Sequence, residues 1–388
     1  MKLGVLFTKN ISLKIWVEKG LFEREKLIYE KQIENNVYEE IYWFTYGRND
    51  NILRDKLVRE KMLNPKIKVI PMPSVFYTSL GCLFYSLFLP YVQKKFLKKI
   101  DLIKSNQLDG AWAAVVIKKK YNIPFLLRTG YTFTKCEKAY LDVEKGVDAL
   151  MRKIKIGIYS IIEKSLYKHC DVCVVSSRED RAYIEKNYGI EEEKITVIPN
   201  YIDTDIFYKY KDIQKNERVI FVGRLNSIKN LKNTIVGVAN VGKGLDIYGE
   251  GPLKYELEQF SHQQGYDVCF KGVVGNKELP SILNKYEYYI LASITEGMPK
   301  ALLEAMACGL VCIGSNVAGI IEVIEDGING IVAKGTESKD ISEALTRAVN
   351  IVNKDILQMN AVNKIYDNYS LNTICRIQSK IELDIVKY

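Results

Sequence analysis

The stretch EGMPKALLEAMACG, residues 296–309, decides how this chain is read. Just before it, Tyr288–Leu291 is an apolar run of strand length that ends in the small-residue loop ASIT. Pro299 follows where a first helical position is expected, with its φ already suited to a helix. Residues 301–307 then carry strong helix formers. The result is a strand, a loop and a helix. A helix start offers unpaired N–H groups and the positive end of its dipole, which suits an anion. Glu296 stands just ahead of that start, and Glu304 lies about a turn and a half inside. Carboxylates accept hydrogen bonds from hydroxyl groups, while phosphate suits the helix start. A sugar nucleotide carries both. Taken alone, two glutamates eight apart also fit a plain α/β unit, so the whole string carries the argument.

Working outward, FVGRLNSIKN (221–230) is a second unit of this kind. A buried strand ends at Gly223, and Arg224 and Lys229 sit in the loop before the next helix. An arginine fork and a lysine point charge suit a diphosphate. Strand-like runs are expected at 3–8, 41–45, 68–71, 101–105, 125–128, 172–176 and 196–198, and again at 219–222, 245–248, 268–270, 288–291, 311–313 and 330–332. Helical patterns lie between them, including 18–34, 111–120, 230–241, 253–264 and 340–349. Two terminal helices are expected at 354–369 and 372–386. Such alternation predicts two doubly wound, Rossmann-like α/β domains facing each other across a cleft, with ligands at the carboxyl ends of the strands. Polar, turn-rich residues 199–215 mark the boundary. The domains are read as 1–200 and 201–370, with 371–388 a C-terminal helix returning to the first domain.

The chain has 388 residues, 47% apolar and 27% charged, which excludes a disordered protein. The eight cysteines are scattered, several in apolar runs, and read as buried thiols in a reducing cytoplasm. Residues 1–8 read as a first strand and not as a cleavable leader. The net charge of +9 is uneven: residues 1–200 hold 35 Lys+Arg against 24 Asp+Glu. A basic first half suggests an anionic partner. Residues 75–92 carry no charge and are followed by QKKFLKKI. They read as a helix packed on the sheet, or one lying partly on an anionic membrane with Lys94, Lys95, Lys98 and Lys99 at the headgroups. Pro90, Gly81 and the Ser and Thr residues argue against a span.

IPNYIDTDIF (198–207), FVGRLNSIKN (221–230), YGEGPLKYELE (248–258), FKGVVGNKELP (270–280) and EGMPKALLEAMACGLVCIGSNVAG (296–319) resemble, in order and spacing, the retaining family-four glycosyltransferases (glycosyl transferases group 1) of the GT-B fold. The resemblance implies transfer of a sugar from a nucleotide diphosphate-sugar with retention. Arg224 and Lys229 would bind the diphosphate, Glu296 the hydroxyls of the sugar, and Glu304 the ribose. Backbone N–H groups of Met298, Lys300 and Ala301 would lie nearby, with Gly297 and Pro299 in the same donor-binding stretch. The turn Gly272–Val274, with Gly272 and Val273 as donor-binding candidates, would frame the base. Gly249 and Gly251 would let the backbone approach the donor, and Gly223 is a further donor-binding candidate. Glu296, Arg224 and Lys229 are the catalytic candidates. No cofactor and no metal are expected, and Asp203-Thr204-Asp205 reads as an interdomain turn. Cys170 and Cys173 read as core residues.

The first half departs from the family. Thr8-Lys9-Asn10-Ile11-Ser12 replaces a Gly-Gly loop, and neither His169 nor His262 fits the family's acceptor-side histidine. Acceptor-side candidates are Asn10, Ser12, Gln107, Arg128 and Gly130, with Lys104 and Asn106 weaker ones. The expected reaction uses a UDP-sugar, or GDP-mannose, and a glycan acceptor on a lipid diphosphate, in bacterial capsule or O-antigen assembly. The expected location is cytoplasmic, peripheral at the inner face of the plasma membrane, with contact through residues 75–99 and no nucleic acid as partner. A soluble acceptor, a non-catalytic nucleotide-sugar binding or regulatory protein, and a nucleotide-sugar epimerase are the alternatives.

Overall fold

The computed structural model describes residues 1–78, 80–141 and 147–387. The chain divides into two compact units: Met1–Ile198 with the residues from Cys375 onward, and Pro199–Ile374.

In the first unit the strands are β1 Lys2–Leu6, β2 Glu40–Phe44, β3 Ile67–Ile70, β4 Leu102–Ser105, β5 Phe125–Thr129, β6 Val172–Val175 and β7 Ile195–Val197. They pair in parallel in the order β3-β2-β1-β4-β5-β6-β7. In the second unit they are β8 Asn216–Val222, β9 Leu245–Tyr248, β10 Val268–Gly272, β11 Tyr286–Leu291, β12 Val311–Ser315 and β13 Ile331–Ala333. Their order is β10-β9-β8-β11-β12-β13, again parallel. A parallel sheet is covered on both faces, so its strands read as continuous apolar runs. VCIGS of β12 is buried at every position.

The strand order reverses beside β1 in the first unit and beside β8 in the second. Loops diverge there and leave a crevice at the strand ends. In the second unit the reversal lies between β8 and β11, the strands that lead into the two motifs.

Two expectations shift. The helix expected over 18–34 is three helices, Leu13–Glu18, Phe22–Glu25 and Leu27–Glu34. The turn at Lys19–Gly20 closes the first of them, and the Leu21 N–H returns to the Trp16 carbonyl at 2.8 Å. The uncharged stretch 75–92, of which Ser79 lies outside the described residues, forms a 3-10 turn and the helix Gly81–Val92. Among the described residues no helix is long and apolar enough to cross a membrane.

The helix Leu371–Lys387 straddles the division between the units. Its Glu382 is fully buried in the first unit, where it pairs with Lys104 of β4 at 2.9 Å and accepts from Tyr38 at 2.7 Å and Gln378 at 3.0 Å. Burial pushes the Lys104 ammonium below its usual pKa, against the opposing pull of Glu382. Lys104, a weaker acceptor candidate, is therefore tied into the core.

Candidate active site

Each motif begins where a strand of the second unit ends. After β8 come Gly223 and Arg224, then a 3-10 turn Ser227–Lys229. Asn230 closes that turn at φ +54°, and its amide donates to the carbonyls of Ala292 (3.1 Å) and Thr336 (2.6 Å). One of these, Ala292, lies at the end of β11, so the two loops are joined. The Ile294 N–H donates to the Ile228 carbonyl at 2.8 Å. Side chains complete the join: Lys229 forms an ion pair with Glu296.

Glu296 has further support. Ser293 Oγ donates to Glu296 Oε1 at 2.6 Å, and Ser315 Oγ, from the end of β12, donates to the Ser293 carbonyl at 2.6 Å. Three neighbouring strand ends thus aim one carboxylate. Behind it stands Gly319, where a side chain would run into the backbone of Glu296 and Gly297.

The helix Lys300–Ala307 has no side-chain cap and no acid in its first turn. A helix start of this kind suits an anion. Pro299 stands at its cap with ψ 104°, one place ahead of the expected first helical position, because that extended ψ lies outside the helix. The carbonyl of the buried Met298 accepts from the Asn200 amide at 2.8 Å, which gives IPNY of the first matching string a role. Glu304 lies in the second turn and is only 5% exposed. Arg224 is exposed at the mouth of the β8 loop, with no ion pair among the described residues.

The neighbouring strand ends meet through backbone bonds. The Gly223 N–H donates to Tyr248 (3.0 Å) and the Gly249 N–H to Gly272 (2.8 Å). At Gly249, φ is +144° and a side chain would strike the Gly223 carbonyl, so only glycine fits. Val273, just beyond, is 75% exposed and offers a free apolar surface to a flat ring. Asp203, by contrast, is spent in a turn: its carbonyl accepts from Phe207 N–H at 2.9 Å and its carboxylate from Asp205 N–H at 3.1 Å. Cys170 and Cys173 are buried thiols of the first unit's core.

The acceptor-side candidates are distributed around the strand ends of the first unit. Asn10 is exposed at φ +67° after β1. Ser12 is occupied as a helix cap, accepting from the Ile15 N–H at 3.1 Å. Gln107 accepts from the Gly130 N–H at 2.9 Å, so these two lie together beyond β4 and β5. Arg128 is half-buried in β5. The sequence reading missed a pair at the reversal itself: Lys9 lies 3.4 Å from Asp109, and Tyr159 donates to the same carboxylate at 3.1 Å. It also missed Ser293, Ser315 and Gly319 as supports of Glu296. Small residues near a strand end were the available signal.

Comparison with known proteins places the chain in a family. Residues 203–361 match the family described as Glycosyl transferases group 1, and residues 40–206 match Glycosyltransferase Family 4. A 41.2 kDa protein of the cps region of Klebsiella pneumoniae is 26% identical over 275 residues, covering 67% of this chain and 72% of that one. The Escherichia coli UDP-Gal:alpha-D-GlcNAc-diphosphoundecaprenol alpha-1,3-galactosyltransferase is 26% identical over 294 residues, covering 71% and 73%. The solved structure of a Rickettsia africae glycosyltransferase superimposes with a TM-score of 0.71 at 18% identity, over 100% of this chain and 99% of the other. The two-sheet architecture is the GT-B fold, and the chain belongs to the group 1 glycosyltransferases.

Proposed function

We propose that this chain moves a sugar from a UDP-sugar to a glycan acceptor on a lipid diphosphate, with retention and without a metal, in bacterial surface polysaccharide assembly. The observation that carries the reading is the contact of Lys229 with Glu296 beside an uncapped helix start. In a nucleotide-sugar the anomeric carbon is bonded to the β-phosphate. Groups that hold the sugar and groups that hold the diphosphate must therefore be neighbours. The Escherichia coli relative supports UDP as the nucleotide and a lipid diphosphate as the acceptor's carrier. GDP-mannose remains the alternative donor. The protein works on the cytoplasmic side, meeting the inner face of the membrane through residues 75–99.

In this reading Glu296 accepts hydrogen bonds from sugar hydroxyls, and Glu304 holds the ribose. The bond from the anomeric carbon to the diphosphate oxygen breaks through an oxocarbenium-like state. Arg224, Lys229 and the start of the helix Lys300–Ala307 stabilise the charge that builds on the diphosphate. The acceptor hydroxyl bonds to the anomeric carbon on the face the diphosphate leaves, and its proton passes to a diphosphate oxygen. Arg128, Asn10, Ser12, Gln107 and Gly130 are the proposed acceptor contacts.

The test is transfer from UDP-galactose to a synthetic lipid-diphosphate N-acetylglucosamine by the purified protein. A new α-linked product that Glu296→Ala abolishes supports the reading. Conversion of the donor without acceptor indicates an epimerase, and donor binding with no turnover indicates a regulatory protein; either result defeats it.

A further inference from the structure

Right-handed crossovers that move in one direction along a parallel sheet lie on one face of it. The segments β3 to β4, β4 to β5 and β5 to β6 all move the same way. Their helices Gly81–Val92, Trp112–Tyr121 and Val147–His169 therefore form one layer. The middle helix packs against both neighbours. It is tied to the first by Trp112 Nε1 donating to Ser86 Oγ at 3.2 Å and by the Tyr121 hydroxyl donating to the Pro90 carbonyl at 2.6 Å.

A surface helix normally turns its apolar stripe inward. Val147–His169 does the opposite along most of its length. Val147, Leu150, Met151, Ile154, Ile158 and Ile161 recur at helical spacing and are 52–74% exposed. The stripe runs for about 20 Å at 1.5 Å per residue. Leu83, Phe84, Leu87, Phe88 and Tyr91 repeat the pattern on the other flank. An exposed apolar surface of this extent marks a partner.

The charges identify the partner. Residues 81–99 and 112–121 contain no acid, and Lys94, Lys95, Lys98, Lys99, Lys119 and Lys120 are exposed there. On the long helix Arg152 and Lys155 share Glu137, while Lys153, Lys164 and Lys168 are exposed. Its own acids are Asp148 and the buried Glu163. An apolar stripe with a basic border fits a surface that is anionic outside and apolar beneath, as an anionic bilayer is.

We infer that Val147–His169 is a second membrane-contacting helix, lying with Gly81–Val92 on anionic lipid so that the first unit meets the bilayer along two stripes. This deepens the membrane-side reading of the acceptor, whereas the residues involved take no part in the donor site. The experiment is co-sedimentation of the full chain with vesicles of phosphatidylcholine alone or enriched in phosphatidylglycerol. The wild type is expected to bind the anionic vesicles, less so as salt rises. Ile154→Glu/Ile158→Glu should lower binding at least about tenfold, since buried apolar area sets the strength of such contacts. Its melting temperature and hydrolysis of soluble donor should not change, and loss of that hydrolysis in the wild type would count against the proposed function instead. Leu87→Glu/Phe88→Glu reads the other stripe separately. Three results would overturn the inference: no binding by the wild type, loss through the 87/88 variant alone, or a wild-type dimer that Ile154→Glu/Ile158→Glu separates without lipid.

Discussion

Each unit has one strand-order reversal, and each reversal is crossed by a lysine paired with a carboxylate. In the second unit the pair is Lys229 and Glu296; in the first it is Lys9 and Asp109. The helices beside them differ. After β1, the helix Leu13–Glu18 is already capped by its own chain: Asp50 accepts from the N–H groups of Leu13 (2.8 Å) and Lys14 (3.3 Å), and Ser12 from that of Ile15. After β11, the helix Lys300–Ala307 has Pro299 at its cap, which makes no side-chain cap bond, and no acid in its first turn. One topology thus yields two different ends. An anion meets a carboxylate already at the helix start in the first unit and no acid in the first turn of the helix in the second. Whether a chain supplies its own carboxylate at a helix start decides where it leaves room for a phosphate.

The comparison can be broken by removing what distinguishes the second unit. Lys229→Ala removes a cation from the leaving diphosphate and should lower the transfer rate by about 10²–10³-fold, the size of a lost transition-state contact. Single-turnover rates at saturating donor would show it. A rate within a few-fold of wild type would make the Lys229–Glu296 pair merely structural. A milder intervention sharpens the point. Ser293→Ala leaves both charges but removes one hydrogen bond that aims Glu296. A hydrogen bond to a charged group is worth about 1.5–3 kcal/mol, so the rate should fall roughly tenfold to a hundredfold. It should fall on kcat more than on KM, with partial rescue by Ser293→Thr. An unchanged kcat would show that Glu296 needs no such support.

How much of this was legible in the sequence depended on distance along the chain. Runs such as VCIG and LDIY read as buried strands because parallel sheets are apolar on both faces, and Val311–Ser315 and Leu245–Tyr248 are those strands. The motif around Glu296 was readable because its loop and helix are contiguous. Lys9 and Asp109 are a hundred residues apart, and only the sheet order makes them neighbours. Lys104 looked like a strand-end candidate, yet Glu382, from the far end of the chain, claims it. The helix Val147–His169 has a clear apolar period, but a period does not say which way the stripe faces. Its outward turn emerged only from the packing.

The most direct test of the account is a calorimetric titration of UDP into the wild type, Arg224→Ala and Lys9→Ala. A hydrogen bond to a charged group is worth about 1.5–3 kcal/mol, so Arg224→Ala should weaken UDP roughly tenfold to a hundredfold. Lys9→Ala, at the reversal of the other unit, should bind UDP as the wild type does. Equal affinity in Arg224→Ala and wild type, or a loss confined to Lys9→Ala, would contradict the placement of the donor on the second unit.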